Sequence, residues 1–219
     1  MLPDENPFVC NDCWNSLRRT EEAANRANRL EQLFRSFALF EKETAPGNKF
    51  VRGAAYAYYD KETAIATIVH DMKFIGNHEL ARWLGQQMAC GVLSQNKDFF
   101  SDVDMLMPVA LHRRRLRERG FNQSEWLCLG IADIVGLPVD TMHLMRKKYT
   151  EQQSLKTLEE RKTMKDVFAI KNPEDLRGKH VMIVDDVVTS GTTLLRIMEV
   201  LYPIRGCRFS VLTFSFAMH

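Results

Sequence analysis

Val181-Met-Ile-Val-Asp-Asp-Val-Val-Thr-Ser-Gly-Thr-Thr-Leu194 is the stretch on which the fold turns. It opens with four apolar residues, three of them among the commonest in buried parallel strands. Two carboxylates follow, Asp185 and Asp186, and then a run of small hydroxyl residues around Gly191. Leu194, Leu195, Ile197, Met198 and Leu201 then recur at helical spacing. The order is therefore strand, acidic pair, hydroxyl loop, helix. A helix start offers unpaired backbone N–H groups and the positive end of a dipole, which suit a phosphate. Thr189, Ser190, Thr192 and Thr193 add hydroxyl donors, and Gly191 lets the backbone approach an anion closely. The two Asp side chains accept hydrogen bonds, so they suit a sugar diol, directly or through a metal. Phosphate and diol side by side describe a ribose 5-phosphate.

Other readings of the stretch compete. No G-x-x-x-x-G-K-[ST] and no G-x-G-x-x-G follows a strand, which excludes the Walker loop and the dinucleotide fingerprint. A receiver domain also carries an acidic pair after an apolar strand, but it needs a phospho-accepting Asp downstream, and no Asp follows Asp186. An ordinary strand-to-helix turn with an Asp cap is the plain alternative.

Outward from this stretch, strand and helix patterns alternate. Val51–Tyr59, Asp104–Ala110, Val139–Met145 and Phe209–Phe216 read as strands, and residues 28–40, 62–74, 78–93, 111–118 and 122–135 as helices. Breaks fall at Gly76-Asn77 and Gly120. Residues 147–165 are polar and weakly periodic and read as a loop with a short helix near 157–163. This alternation predicts an α/β fold with a parallel sheet flanked by helices, whose ligands sit at the carboxyl ends of the strands. The division expected is a stub and linker over residues 1–49, followed by one domain over 50–219.

Composition is ordinary: 219 residues, 45% hydrophobic, 26% charged, net charge +2. That charge does not by itself imply nucleic acid. Five scattered cysteines argue for a reducing compartment, and neither a signal peptide nor a bilayer-spanning run is evident, so a cytoplasmic location is expected.

The stretch 181–194 resembles the phosphoribosyl pyrophosphate signature of type I phosphoribosyltransferases. The wider chain resembles one branch of them, the ComF family of competence-associated proteins. That closer match rests on Ile68-Val-His-Asp-Met-Lys-Phe-Ile-Gly-Asn77, on Met107-Pro-Val-Ala-Leu-His-Arg-Arg-Arg-Leu-Arg-Glu-Arg-Gly-Phe-Asn-Gln123, on Thr150-Glu-Gln-Gln153 with Glu160-Arg161, and on Leu176-Arg-Gly-Lys179. It covers roughly residues 8–216.

The resemblance implies binding of phosphoribosyl pyrophosphate, or of a nucleoside monophosphate, with Mg2+. It implies that Asp185 and Asp186 hold the ribose hydroxyls, and that Val188, Thr189, Ser190, Gly191, Thr192 and Thr193 wrap the 5-phosphate. Val109, Ala110, Leu111, His112 and Arg113 would face the pyrophosphate. Arg146 and Lys148 would begin the loop that closes over it. Three residues after Glu160-Arg161 the family usually has Asn, and here Met164 stands, a departure that bears on loop closure. Of Arg113, Arg114, Arg115, Arg117 and Arg119, helical geometry lets one or two reach a site, with the rest solvated. Lys73 matches a similar Lys in the family, there for the fold or the hood. Asn122 or Ser124 reads equally well as a helix cap or a ligand contact.

Cys10-Asn-Asp-Cys13 supplies half of a tetrahedral zinc site, where ComF proteins commonly carry two such pairs. Either the natural start lies upstream or the ribbon is reduced. Cys90, Cys128 and Cys207 read as packing. Two functional expectations stand beside each other: an enzyme moving the phosphoribosyl group to or from a nitrogenous base, and a non-catalytic nucleotide-binding accessory for single-stranded DNA uptake alongside competence proteins. An adaptor role through the stub is a third. Homodimer formation is left open.

Overall fold

Val181, Met182, Ile183 and Val184 are wholly buried because they run through the middle of the sheet. The computed structural model describes residues 8–24, 28–35, 49–74, 77–147 and 167–217. In chain order these form α1 (Asn11–Asn15), α2 (Arg29–Arg35), β1 (Phe50–Tyr59), α3 (Ala64–Phe74), α4 (His78–Gln95), β2 (Met105–Pro108), α5 (Arg113–Arg119) and α6 (Gln123–Val135). There follow β3 (Leu144–Arg146), β4 (Phe168–Ile170), a 3-10 turn (Pro173–Leu176), β5 (His180–Val188), α7 (Thr192–Leu201) and β6 (Arg208–Ala217).

The main sheet has the order β1-β6-β5-β2, with every pairing parallel. Side chains alternate across it. Met182, Val184, Leu212 and Phe214 face one layer with α3, α4 and α6; Val181, Ile183, Phe209 and Val211 face the other with α2 and α7. The expected α/β class, a parallel sheet flanked by helices, is what the chain adopts. Among the described residues no helix is long and apolar enough to cross a membrane.

Helices α4 and α6 touch through glycine. A Cβ on Gly85 would lie 2.2 Å from the Leu127 carbonyl oxygen, and one on Gly130 would lie 1.8 Å from that of Arg82. This contact holds α6 hard against the sheet, and the first turn of α6 borders the strand ends.

β1 is an edge strand, yet its outer edge is covered, by backbone of Arg18 and Thr20 at Tyr58 and Tyr56 and by side chains at Gly53 and Ala55. Ala55 N–H donates to Glu22 Oε2 at 3.0 Å and Gly53 N–H to Glu31 Oε1 at 3.1 Å. Asn28 Nδ2 donates to Gly53 O at 2.6 Å, and the Thr20 hydroxyl donates to Ala55 O. Glu22 and Glu31 are each only 4% exposed. Burial pushes the Glu22 carboxyl up to about 7.

Two expectations are corrected. The strand expected over Val139–Met145 does not form as one unit. Val139 makes a single parallel bridge to Leu106, and Leu144–Arg146 pairs antiparallel with Phe168–Ile170 in a separate two-stranded sheet. An Asp140 carboxylate that accepts from Met142 N–H and His143 N–H turns the chain between them. The helix expected from residue 111 starts at Arg113, because His112 is extended and its Nδ1 accepts from Arg114 N–H. The helix expected to residue 40 is described over Arg29–Arg35. Residues 36–48, which hold most of the expected linker, and residues 148–166, which hold most of the loop expected over 147–165, lie outside the described residues.

Candidate functional site

β5 carries Asp185 and Asp186 to the carboxyl ends of the strands, where β1 ends at Tyr59 and β2 gives way to Val109. A cavity of about 640 Å³ opens there, lined by both carboxylates, Tyr59, Lys73, Leu111, Arg115, Arg119, Gln123, Ser124, Arg146, Thr189, Ser190 and Thr193, among others.

The acidic pair is not symmetric. Asp185 is 8% exposed and accepts from Ser124 Oγ at 3.3 Å. Burial, and then the neighbouring Asp186, push its carboxyl well above the usual range. Asp186 is buried against its charge too, but the Lys73 ammonium, 2.6 Å from its Oδ2, outweighs this and holds it below the usual range. The two carboxyls are therefore driven apart, Asp186 ionising more readily than Asp185. Burial also lowers Arg119 and Arg146 from the usual guanidinium range.

Gly191 sits at the N-cap of α7 with φ +70°, a left-handed conformation that favours glycine, and no side chain caps the helix there. The first N–H groups of α7 thus keep their capacity for an anion. Ser190 Oγ lies 2.9 Å from Thr192 Oγ1, beside that turn.

Other expected residues fall elsewhere. Val188 is 2% exposed and packs in the core. Val109 does line the first cavity, but its N–H donates to Val184 O at 3.0 Å and is taken up by the sheet. Ala110, His112 and Arg113 line a second cavity of about 490 Å³, between α5 and β3, which shares Leu111 and Arg146 with the first. Thr192 is exposed at the start of α7. Lys148 lies outside the described residues. Cys10 Sγ accepts from Cys13 N–H at 3.4 Å. Among the described residues no three His, Cys, Asp or Glu side chains group as a metal site.

Sequence reading passed over Gln123 and ascribed Lys73 to the fold or the hood. Lys73, Arg115, Arg119, Gln123 and Asp185 meet only because the sheet brings α3, α5, α6 and β5 together. The i, i+4 spacing of Arg115 and Arg119 was the one signal available.

Residues 131–216 match the phosphoribosyl transferase domain family. The chain is 32% identical over 144 residues to "DNA utilization protein YhgH" of Salmonella typhimurium, covering 65% of this chain and 63% of that protein. It is 29% identical over 100 residues to "Competence protein F" of Haemophilus influenzae, covering 45% and 44%. It is 33% identical over 90 residues to "Competence protein ComFC" of Bacillus subtilis, covering 41% and 35%. The chain belongs to the ComF family. In this ComF protein the matched phosphoribosyltransferase-type segment contains the acidic pair, the hydroxyl loop and α7, and the site around them includes residues from α3, α5 and α6 as well. The chain spans about 63% of the length of the Salmonella relative.

Proposed function

We propose that this ComF protein binds 5-phosphoribosyl 1-pyrophosphate and moves the phosphoribosyl group to or from a nitrogenous base. One observation carries this: a buried acidic pair and an uncapped helix start share one cavity with Lys73, Arg115, Arg119 and Arg146. The ligand has the matching parts, a diol, a terminal phosphate and a highly charged leaving group.

In the forward direction the bond from the anomeric carbon to pyrophosphate breaks and a bond to the base nitrogen forms. The transition state is cationic at the sugar, so positioning and charge stabilisation matter more than a protein nucleophile. Asp185 and Asp186 accept from the sugar hydroxyls. The hydroxyl loop and the α7 N–H groups hold the 5-phosphate. Arg115, Arg119 and Arg146 face the departing pyrophosphate with planar donor forks. The carboxylates also suit Mg2+, which takes one or two protein oxygens and completes its shell with water and phosphate. When bound, that ion neutralises charge on the leaving group. Cys10 and Cys13 can supply two of the four ligands zinc needs, so zinc would require others.

Calorimetric titration with phosphoribosyl pyrophosphate, with and without Mg2+, tests binding; pyrophosphate release across a panel of bases tests transfer. Absence of binding in both conditions would sink the reading.

A second reading rests on α5. Arg113, Arg114 and Arg117 are exposed on it, and relatives carry names of competence and DNA utilization proteins. A nucleotide-binding accessory for single-stranded DNA uptake would use that basic face. Its affinity for single strands should then fall steeply with salt.

A further inference from the structure

Gln123 opens α6 and is 2% exposed, inside the wall of the cavity that holds the acidic pair. Its Oε1 accepts from Arg119 Nη1 at 3.0 Å. Its Nε2 is buried, and no hydrogen-bond partner among the described residues reaches it. A guanidinium has donors only, so Arg119 fixes which amide atom turns toward it, and Nε2 must point the other way. Buried amide donors in native proteins are almost always paired, so one kept open beside a cavity calls for a ligand. Gln123 shares the lining of this cavity with Asp185, Asp186 and Ser124, whose Oγ lies 3.3 Å from Asp185 Oδ1.

The chemistry of that corner is complementary to an alcohol. A sugar hydroxyl donates its hydrogen to a carboxylate and keeps lone pairs that accept from an N–H. Two carboxylates alone cannot supply the second half. We propose that Gln123 is a sugar-binding residue: its Nε2, aimed by Arg119, donates to a hydroxyl oxygen of the ribose that Asp185 and Asp186 hold. This rests on the ligand reading above and adds a specificity determinant to it. A site that both donates to and accepts from a hydroxyl rejects an analogue lacking that hydroxyl, because its buried polar groups are left unpaired.

The test uses the full chain and two probes with Mg2+, ribose 5-phosphate and inorganic pyrophosphate. Gln123→Met removes the donor; Gln123→Glu keeps the shape and the bond from Arg119 and replaces the donor with an acceptor. Both variants should weaken ribose 5-phosphate by about tenfold or more while pyrophosphate stays within about twofold. Thermal midpoints distinguish this from a structural role. Gln123→Met loses the unpaired donor together with the acceptor of the Arg119 bond, so a small drop in its midpoint reflects that bond, whereas Gln123→Glu keeps the acceptor and should melt close to wild type even as sugar binding falls. If Gln123→Met fails to fold, a donor needed for the fold is indicated and the inference is overturned, unless Gln123→Glu folds with wild-type stability and shows the selective loss. Unchanged ribose 5-phosphate affinity in a folded variant, or equal losses for both probes, overturns the role of Gln123 alone. Wild-type protein that binds neither probe overturns the ligand reading and this inference with it.

Discussion

Lys73 and Asp186 show how one residue sets the state of its neighbours. Their contact at 2.6 Å is largely shielded from water, with side-chain exposures of 21% and 14%. Lys73→Met should leave Asp186 without its counter-ion and cost roughly 2 kcal/mol at neutral pH. The sign with pH follows from the direction of the shift. A carboxyl held low contributes stability above its unfolded pKa and loses it as pH falls through the folded value, so the penalty of Lys73→Met should shrink in acid. Thermal melts of both proteins across pH check this; a constant difference would mean the pair contributes little. Asp186→Asn should abolish binding of phosphoribosyl pyrophosphate with little loss of fold, read by titration and circular dichroism. At this scale the sequence was legible where the chemistry is contiguous, over Asp185–Thr193. It was opaque where the partners are distant: nothing near residue 73 announces a carboxylate at 186.

Elements position these side chains, and the α4–α6 contact is where the positioning is tightest. Gly85 and Gly130 each admit no side chain, because backbone carbonyls occupy the space. Gly130→Ala should cost about 3 kcal/mol or more through overpacking, and Gly136→Ala only about 1 kcal/mol, since Gly136 has a positive φ but open space around it. Urea unfolding of the two variants separates close approach from backbone strain. Gly130→Ala should also weaken ligand binding, since it displaces the helix that begins at Gln123. The long periodic elements were readable in sequence. β4 and the 3-10 turn were not, because a strand of 3 residues and a turn of 4 carry too few positions for a period. The Val139–Met145 segment misled because its apolar residues are real, but the Asp140 turn sends its two ends to different sheets.

At the scale of the whole molecule, Glu22 links the first thirty residues to the sheet. A carboxyl raised from 4.5 to about 7 favours the folded state when protonated. Stability is therefore fully present below about 4.5 and lost as pH rises through about 7, by roughly 3 kcal/mol at most. Glu22→Gln, which cannot ionise, should flatten the profile; urea midpoints between pH 5 and 8 would show it, and parallel profiles would refute it. That Thr20, Glu22, Asn28 and Glu31 would cover an edge strand was not visible in the sequence. Nothing near Glu22, Asn28 or Glu31 in the sequence marks them as more than polar residues, and only the fold turns them toward backbone.

The covering of β1 also bears on how the protein behaves in a crowded solution. An unprotected strand edge is a template for another chain to extend. Here backbone at Arg18 and Thr20 covers Tyr58 and Tyr56, but at Gly53 and Ala55 the outermost row of hydrogen bonds is written in the side chains of Thr20, Glu22, Asn28 and Glu31. A backbone cover survives most substitutions; a side-chain cover is lost one residue at a time. Point changes at Asn28 or Glu31 would strip the hydrogen bonds from Gly53 and bare a polymerisable margin, so vulnerability to fibrous growth is concentrated in a few codons far from the ligand cavity.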